Sequence, residues 1–197
     1  MEERWGLSAE KTRGELERIF LASPEAPVFD TWLERADAVL PGARDLMLSA
    51  YRDHRPELRL FADAAWALDS LGPDYGLALL TDGRSESQRY KIEALGIAGA
   101  FQEILVTDEM GLPWRKPSPR GFELLLDRLG SRPEEAVYVA DNPAKDFIAP
   151  SVLGMGSVRV RRACGRYGAL EPAGPEAAPG AEICSLFELR GLLGEAR

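Results

Sequence analysis

Two patterns of apolar positions divide the chain. Up to residue 71 they recur at helical spacing. Leu16, Ile19 and Phe20 form one such set. Phe29, Trp32, Leu33, Ala36 and Leu40 fall at i, i+3, i+4, i+7 and i+11, one face of an amphipathic helix. Ala64, Leu68 and Leu71 continue the theme, and Gly72-Pro73 ends it. From residue 76 short apolar runs alternate with capped helices. Strands are predicted over Leu77–Leu80, Glu103–Val106, Ala136–Ala140 and Ser157–Val160, and helices near 85–95, 118–129 and 144–153. The first of these helices carries a capping box, Ser85 with Gln88, and stops at Gly96. The second aligns Phe122, Leu125, Leu126 and Leu129 and stops at Gly130. Residues 171–181, rich in Pro, Gly and Ala, predict a mobile loop, and Leu186, Leu189 and Leu193 predict a last helix packed on the core. Strands alternating with helices predict an α/β fold with a parallel sheet covered on both faces.

Composition narrows the function classes. Of 197 residues 45% are hydrophobic, enough for a sizeable core. The net charge of -8 and pI near 4.9 disfavour nucleic acid and anionic membranes as partners. No apolar run reaches the roughly 18 residues that a membrane span needs. The charged start, Met1-Glu2-Glu3-Arg4, lacks the apolar stretch of a signal peptide, so a cytoplasmic protein is expected. Cys164 and Cys184 lack metal-ligand spacing and read as buried or idle thiols. The single histidine, His54, sits in the polar stretch "YRDHRPE" and reads as solvent-facing.

Candidate chemistry lies at the strand exits, because ligands of open parallel sheets bind beyond the carboxyl ends of the strands. The first predicted strand is followed by Thr81-Asp82-Gly83. The second leads through Thr107-Asp108-Glu109 to Arg115-Lys116-Pro117, and the third to Asp141-Asn142 and then Asp146. A hydroxyl, a lysine and carboxylates on one rim suit a phosphate held beside a divalent cation. Each residue alone has a plainer reading. Thr81 could end a strand and start a turn, Asp141 could favour a helix N-terminus, and Asp146 could be a solvated helix residue. Lys116 is harder to dismiss. It precedes a helix whose first turn holds Pro117 and Pro119, where a cation opposes the helix dipole at a cost of about 0.3–1 kcal/mol.

The segments "LALLTDG", "RKPSPRGF" and "VYVADNPAKDF", in that order, resemble the second, third and fourth motifs of the haloacid dehalogenase-like hydrolases. The resemblance covers roughly residues 57–165. It implies a Rossmann-like core over residues 61–197 and a partial, C1-type helical cap over residues 1–60. It also implies a Mg²⁺-dependent phosphatase acting on a small phosphorylated metabolite. Thr81, with Asp82 and Gly83, would bind the phosphoryl group, and Lys116 would steady phosphate and nucleophile. Asp141 would ligate Mg²⁺, Asp146 would ligate or support it, and Asn142 would stand behind them.

The family's first motif is a buried central strand ending in Asp-x-Asp, whose first aspartate attacks phosphorus and whose second is the acid/base. No Asp-x-Asp occurs in the sequence. The nearest lookalike is "APVFDTW", but the residue two beyond Asp30 is Trp32, and Phe29 and Trp32 belong to a helical stripe. A missing central strand leaves two rows of backbone groups unpaired, at about 1–3 kcal/mol for each buried group. Three outcomes are open. The chain is N-terminally truncated, another segment fills the slot, or the flanking strands close up. A noncatalytic binding or regulatory domain is the alternative function, and a receiver-like domain fits less well because the Asp141/Asp146 pair comes so late. Trp5, Trp32 and Trp66 predict an apolar surface left bare by the missing segment.

Overall fold

The computed structural model describes residues 6–23, 27–36 and 41–194. Leu40 and Trp5, used in the sequence reading, lie outside them. The chain divides into two compact units, Met1–His54 and Arg55–Arg197. The division falls six residues before the expected 60/61 boundary. Arg55, in that stretch, engages the second unit: its guanidinium lies over the Tyr90 ring.

The first unit is helical: α1 (Ala9–Ala22), α2 (Val28–Arg35) and α3 (Ala43–Asp53). Ser8 starts α1 by accepting the Lys11 N–H. One residue from each helix, Ile19, Trp32 and Met47, forms a buried cluster. Trp32 is therefore core and marks no bare apolar surface; its indole N–H donates to Glu15 at 2.7 Å.

The second unit opens with α4 (Ala62–Leu71) and continues as β1 (Ala78–Thr81), α5 (Ser85–Leu95), β2 (Glu103–Val106), α6 (Arg120–Leu129) and β3 (Val137–Ala140). It ends with α7 (Ile148–Leu153), β4 (Gly156–Val160), β5 (Ala181–Ile183) and α8 (Leu189–Leu193). All strand pairs are parallel, as the alternation predicts. Yet they form two sheets rather than one: β1-β2, and β3-β4-β5. In register, Thr81 faces Val106 across the first sheet, and Ala140 faces Arg159 across the second.

A groove of about 750 Å³ runs between the sheets. Leu77 and Ala78 line one side, Val137 and Val139 the other, and Phe122 and Leu125 lie along it. The facing edges of β1 and β3 have no strand partner among the described residues. Strands β1 and β3 are not paired with each other.

Helix α6 covers the first sheet through Phe122 and Leu125, packed with Leu80 and Leu105. Gly121 permits that approach, because a Cβ there would stand 2.9 Å from Leu80 Cδ1. On the second sheet Ala67 and Leu71 of α4 pack with Val158, Ile183 and Leu189, so the last helix returns to the core as expected.

Three local expectations are corrected. The predicted capping box at Ser85 does not form. Arg84 is the N-cap, Gln88 turns back to Thr81, and the Ser85 N–H donates to Asp108 at 3.0 Å. The predicted helix 144–153 starts only at Ile148. The Asn142 side chain accepts the Ala144 N–H and Asp146 accepts the Asn142 N–H, local bonds that compete with a helix. Finally, the Pro/Gly/Ala segment packs: Ala177 is buried and Ala181 begins β5. Cys164 and Cys184 are exposed free thiols, and His54 is exposed as expected. No helix among the described residues is long and apolar enough to cross a membrane.

Candidate functional site

The loops after β1, β2 and β3 meet at one rim. Each strand is short and apolar, so its first polar residue is delivered at the sheet edge. Thr81 ends β1, and its hydroxyl donates to Gln88 Oε1 at 2.9 Å. Gly83 follows at φ +114, a conformation that disfavours a side chain; a Cβ there would also stand 2.7 Å from Gln88 Nε2.

Between them, Asp82 points inward. Its Oδ1 accepts from the Thr107 hydroxyl at 2.8 Å and from the Lys116 N–H at 3.3 Å. Its Oδ2 accepts from Lys145 Nζ at 2.8 Å. Burial alone would raise this carboxyl, but the bonds from Lys145 and Thr107 and the two lysine charges outweigh it and hold it below the ordinary range.

Lys116 is buried, and its ammonium crosses from the first sheet's loops to the second's. Nζ donates to the Tyr138 phenol at 2.9 Å and lies 2.7 Å from Asp146 Oδ1. Burial would lower its pKa; the Tyr138 oxygen and the Asp146 carboxylate overcome that and keep it charged. Burial pushes Tyr138 up to about 12 against the Lys116 charge, so it remains a phenol at neutral pH.

Asp146 is buried beneath Asp141. Its Oδ2 accepts from the Asn142 N–H at 3.1 Å. Its Oδ1 is ion-paired with Lys116 Nζ at 2.7 Å. Asp141 opens to solvent at the rim. Partial loss of water and the Asp146 charge push its carboxyl up, with Lys116 and Arg159 opposing.

This donor set fits a hard divalent cation. Asp146 offers a buried carboxylate held on one oxygen by the single ammonium of Lys116, next to an acid whose ionised form burial and the Asp146 charge disfavour. Mg²⁺ commonly takes one or two carboxylates and completes its shell with water and substrate phosphate. Among the described residues no group of three or more His, Cys, Asp or Glu is placed to hold a metal ion, so the protein would supply no more than two carboxylates.

Lys116, Asp82, Asp146 and Asn142 thus belong to one bonded network, with Thr81 and Asp141 the chain neighbours of its members. Asp30 stands apart. It lies on α2 in the first unit, at no strand end, and pairs with Arg44. Sequence reading missed Lys145, Tyr138 and Thr107. Thr107 and Lys145 lie within quoted strand-exit segments, where their polarity was the available signal. Tyr138 lies within a strand and carried none.

The haloacid dehalogenase-like hydrolase family profile matches residues 33–160. Phosphoserine phosphatase of Thermus thermophilus is 35% identical over 163 residues, 82% of this chain and 62% of that protein. Glyceraldehyde 3-phosphate phosphatase of Methanopyrus kandleri is 37% identical over 121 residues, 61% of this chain and 50% of that protein. The chain therefore spans about half to three-fifths of the length of these relatives. The HAD-hydrolase YfnB of Bacillus subtilis, solved with bound magnesium, superposes with a TM-score of 0.68 at 19% identity, covering 94% of this chain and 81% of YfnB. A HAD phosphatase of Thermococcus onnurineus superposes with a TM-score of 0.67 at 24% identity, covering 100% and 86%.

Proposed function

Because the chain belongs to the haloacid dehalogenase-like hydrolase family, we propose that it forms the phosphate- and metal-holding part of a Mg²⁺-dependent phosphatase for a small phosphorylated metabolite. The observation that carries this reading is the bonded rim network joining Lys116, Asp82 and Asp146, with Thr81 and Asp141 beside it. Thr81, by rotating its hydroxyl from Gln88, and the backbone at Asp82-Gly83 bind phosphoryl oxygens. Lys116, charged and buried, neutralises the oxygen nearest the groove. Asp141 and Asp146 hold the cation, with Asn142 fixing Asp146 through its N–H. The bound Mg²⁺ would supply positive charge to the phosphoryl group.

The attacking carboxylate comes from outside residues 1–197, which in this reading are N-terminally truncated relative to the working enzyme. The open groove supports this. An extended segment seated between β1 and β3 would pair with both free edges and join the sheets into one. A carboxylate at its end would emerge at the rim beside Lys116. The lack of any Asp-x-Asp favours the second reading, a noncatalytic phosphate-binding domain.

Hydrolysis of p-nitrophenyl phosphate with Mg²⁺ separates the two. Residues 1–197 alone are expected to show negligible turnover. An apolar peptide of about five to seven residues ending in Asp-x-Asp is expected to confer turnover that Lys116→Met removes. No turnover with any such peptide favours the noncatalytic domain. Robust turnover without peptide, lost in Asp30→Asn, contradicts the nucleophile assignment.

A further inference from the structure

Lys145 is a cation at the rim that the phosphatase reading leaves without a task. Its ammonium donates to Asp82 Oδ2 at 2.8 Å. The Asp82 Oδ1 accepts from the Lys116 N–H, the Lys116 Nζ lies 2.7 Å from Asp146 Oδ1, and Asp146 follows Lys145 in the chain. The four residues close a ring of alternating charge that crosses between the two sheets. Asp82 comes from the loop after β1, Lys116 from the connection after β2, and Lys145 with Asp146 from the loop after β3.

Two demands meet at Asp82. Its side chain must stay directed inward, because the Thr107 hydroxyl and the Lys116 N–H are fixed by its Oδ1. It also follows Thr81 directly, and the Asp82 side chain is only 10% exposed, so little water screens it. A phosphate dianion at Thr81 would meet an uncompensated like charge. Lys116 cannot compensate it alone, since its ammonium is directed to Asp146 and Tyr138. Lys145 is bonded to the opposite oxygen.

We propose that Lys145 is a positioning residue for the phosphate site: it neutralises Asp82, so that this carboxylate can tie the loops together without repelling the substrate's phosphoryl group. The proposal rests on the phosphatase reading. It assigns the Asp82 carboxylate to loop geometry and leaves phosphate binding to its backbone. Lys145 does not itself bind the phosphate; if it did, deleting the Asp82 charge would not replace it.

The test is titration of inorganic phosphate into the full chain in saturating Mg²⁺, with thermal unfolding of each protein alongside. Lys145→Met is expected to weaken phosphate binding about tenfold, and Lys145→Arg by less than about threefold. Adding Asp82→Asn to Lys145→Met is expected to restore most of the affinity, since Asn keeps the Oδ1 acceptor and drops the charge. A structural role alone would make affinity follow the unfolding temperature and leave the double variant weakest. Two results overturn the proposal while sparing the phosphatase reading: unchanged affinity in Lys145→Met, or a double variant no better than the single. A folded wild-type chain that binds no phosphate overturns the phosphatase reading, and the role of Lys145 with it.

Discussion

Among the described residues of the second unit, the acid at Asp63 and the pair Asp141 and Asp146 are finished to different degrees. Asp63, at the start of α4, is saturated. It accepts from Arg162 at 3.0 Å, from the Ser185 hydroxyl at 2.9 Å and from the Leu186 N–H at 2.8 Å. Burial alone would raise its carboxyl, but the bonds from Arg162, Leu186 and Ser185 overcome that and bring it down to about 2. At the rim Asp141 moves the other way: lost water and the Asp146 charge push it up, and Asp146 has the Lys116 ammonium and one backbone N–H as its partners. One acid is complete within the fold and serves stability. The other pair combines an acid that its surroundings push up with a buried neighbouring carboxylate, and that contrast motivates the proposal that it holds a cation.

The sharpest way to break this contrast is to remove each acid in turn. Asp63→Ala takes the shared acceptor from the half-buried Arg162, the Ser185 hydroxyl and the Leu186 N–H, and is expected to lower stability by about 3 kcal/mol in urea unfolding. Its pH dependence has a definite sign. The folded pKa is about 2 against an ordinary 3.8, so the Asp63 contribution is present above about pH 4 and fades as pH falls toward 2. The gap between wild type and Asp63→Ala should close over that window. A gap that stays constant down to pH 2 would deny the saturated acid its role.

A smaller effect is expected at the rim. Without metal, Asp141→Asn should change stability by no more than about 0.5 kcal/mol, because it relieves a like charge and opens no cavity. With Mg²⁺ at a hundredfold excess over its Kd, wild type should gain about 2.7 kcal/mol and Asp141→Asn should gain little. Since the Asp141 pKa is raised, the Mg²⁺ gain should shrink on acidification while pH is still above the ordinary carboxylate value of 3.8. Equal Mg²⁺ gains in both proteins would remove Asp141 from the metal site.

The contrast also explains what could be read from sequence. Thr81 and Asp141 stood out because each follows an apolar run at a predicted strand exit, whereas Lys116, well beyond the end of β2, stood out because it opposes the dipole of the helix that follows. β5 did not stand out, because its three residues adjoin a Pro/Gly/Ala segment with no alternating pattern, and only contact with β4 makes them a strand. The Asp63 cluster escaped for another reason. Its partners lie 99 to 123 residues away, and no local spacing signals them. Lys145 pairs with Asp82 across 63 residues and two sheets, so the fold alone brings them together. Gln88 carried the right signal for a capping box and was drawn to Thr81 instead, an outcome that needs the turn at Gly83.

The central claim is that one rim binds a phosphoryl group and a divalent cation side by side. Crystals of the chain soaked with Mg²⁺ and tungstate, an electron-dense phosphate mimic, test it most directly. The account predicts tungstate within hydrogen-bonding reach of Thr81 Oγ1 and Lys116 Nζ, with the cation against Asp141 and Asp146. Tungstate bound elsewhere, with the rim empty and its lysine still turned to Asp146, would contradict it.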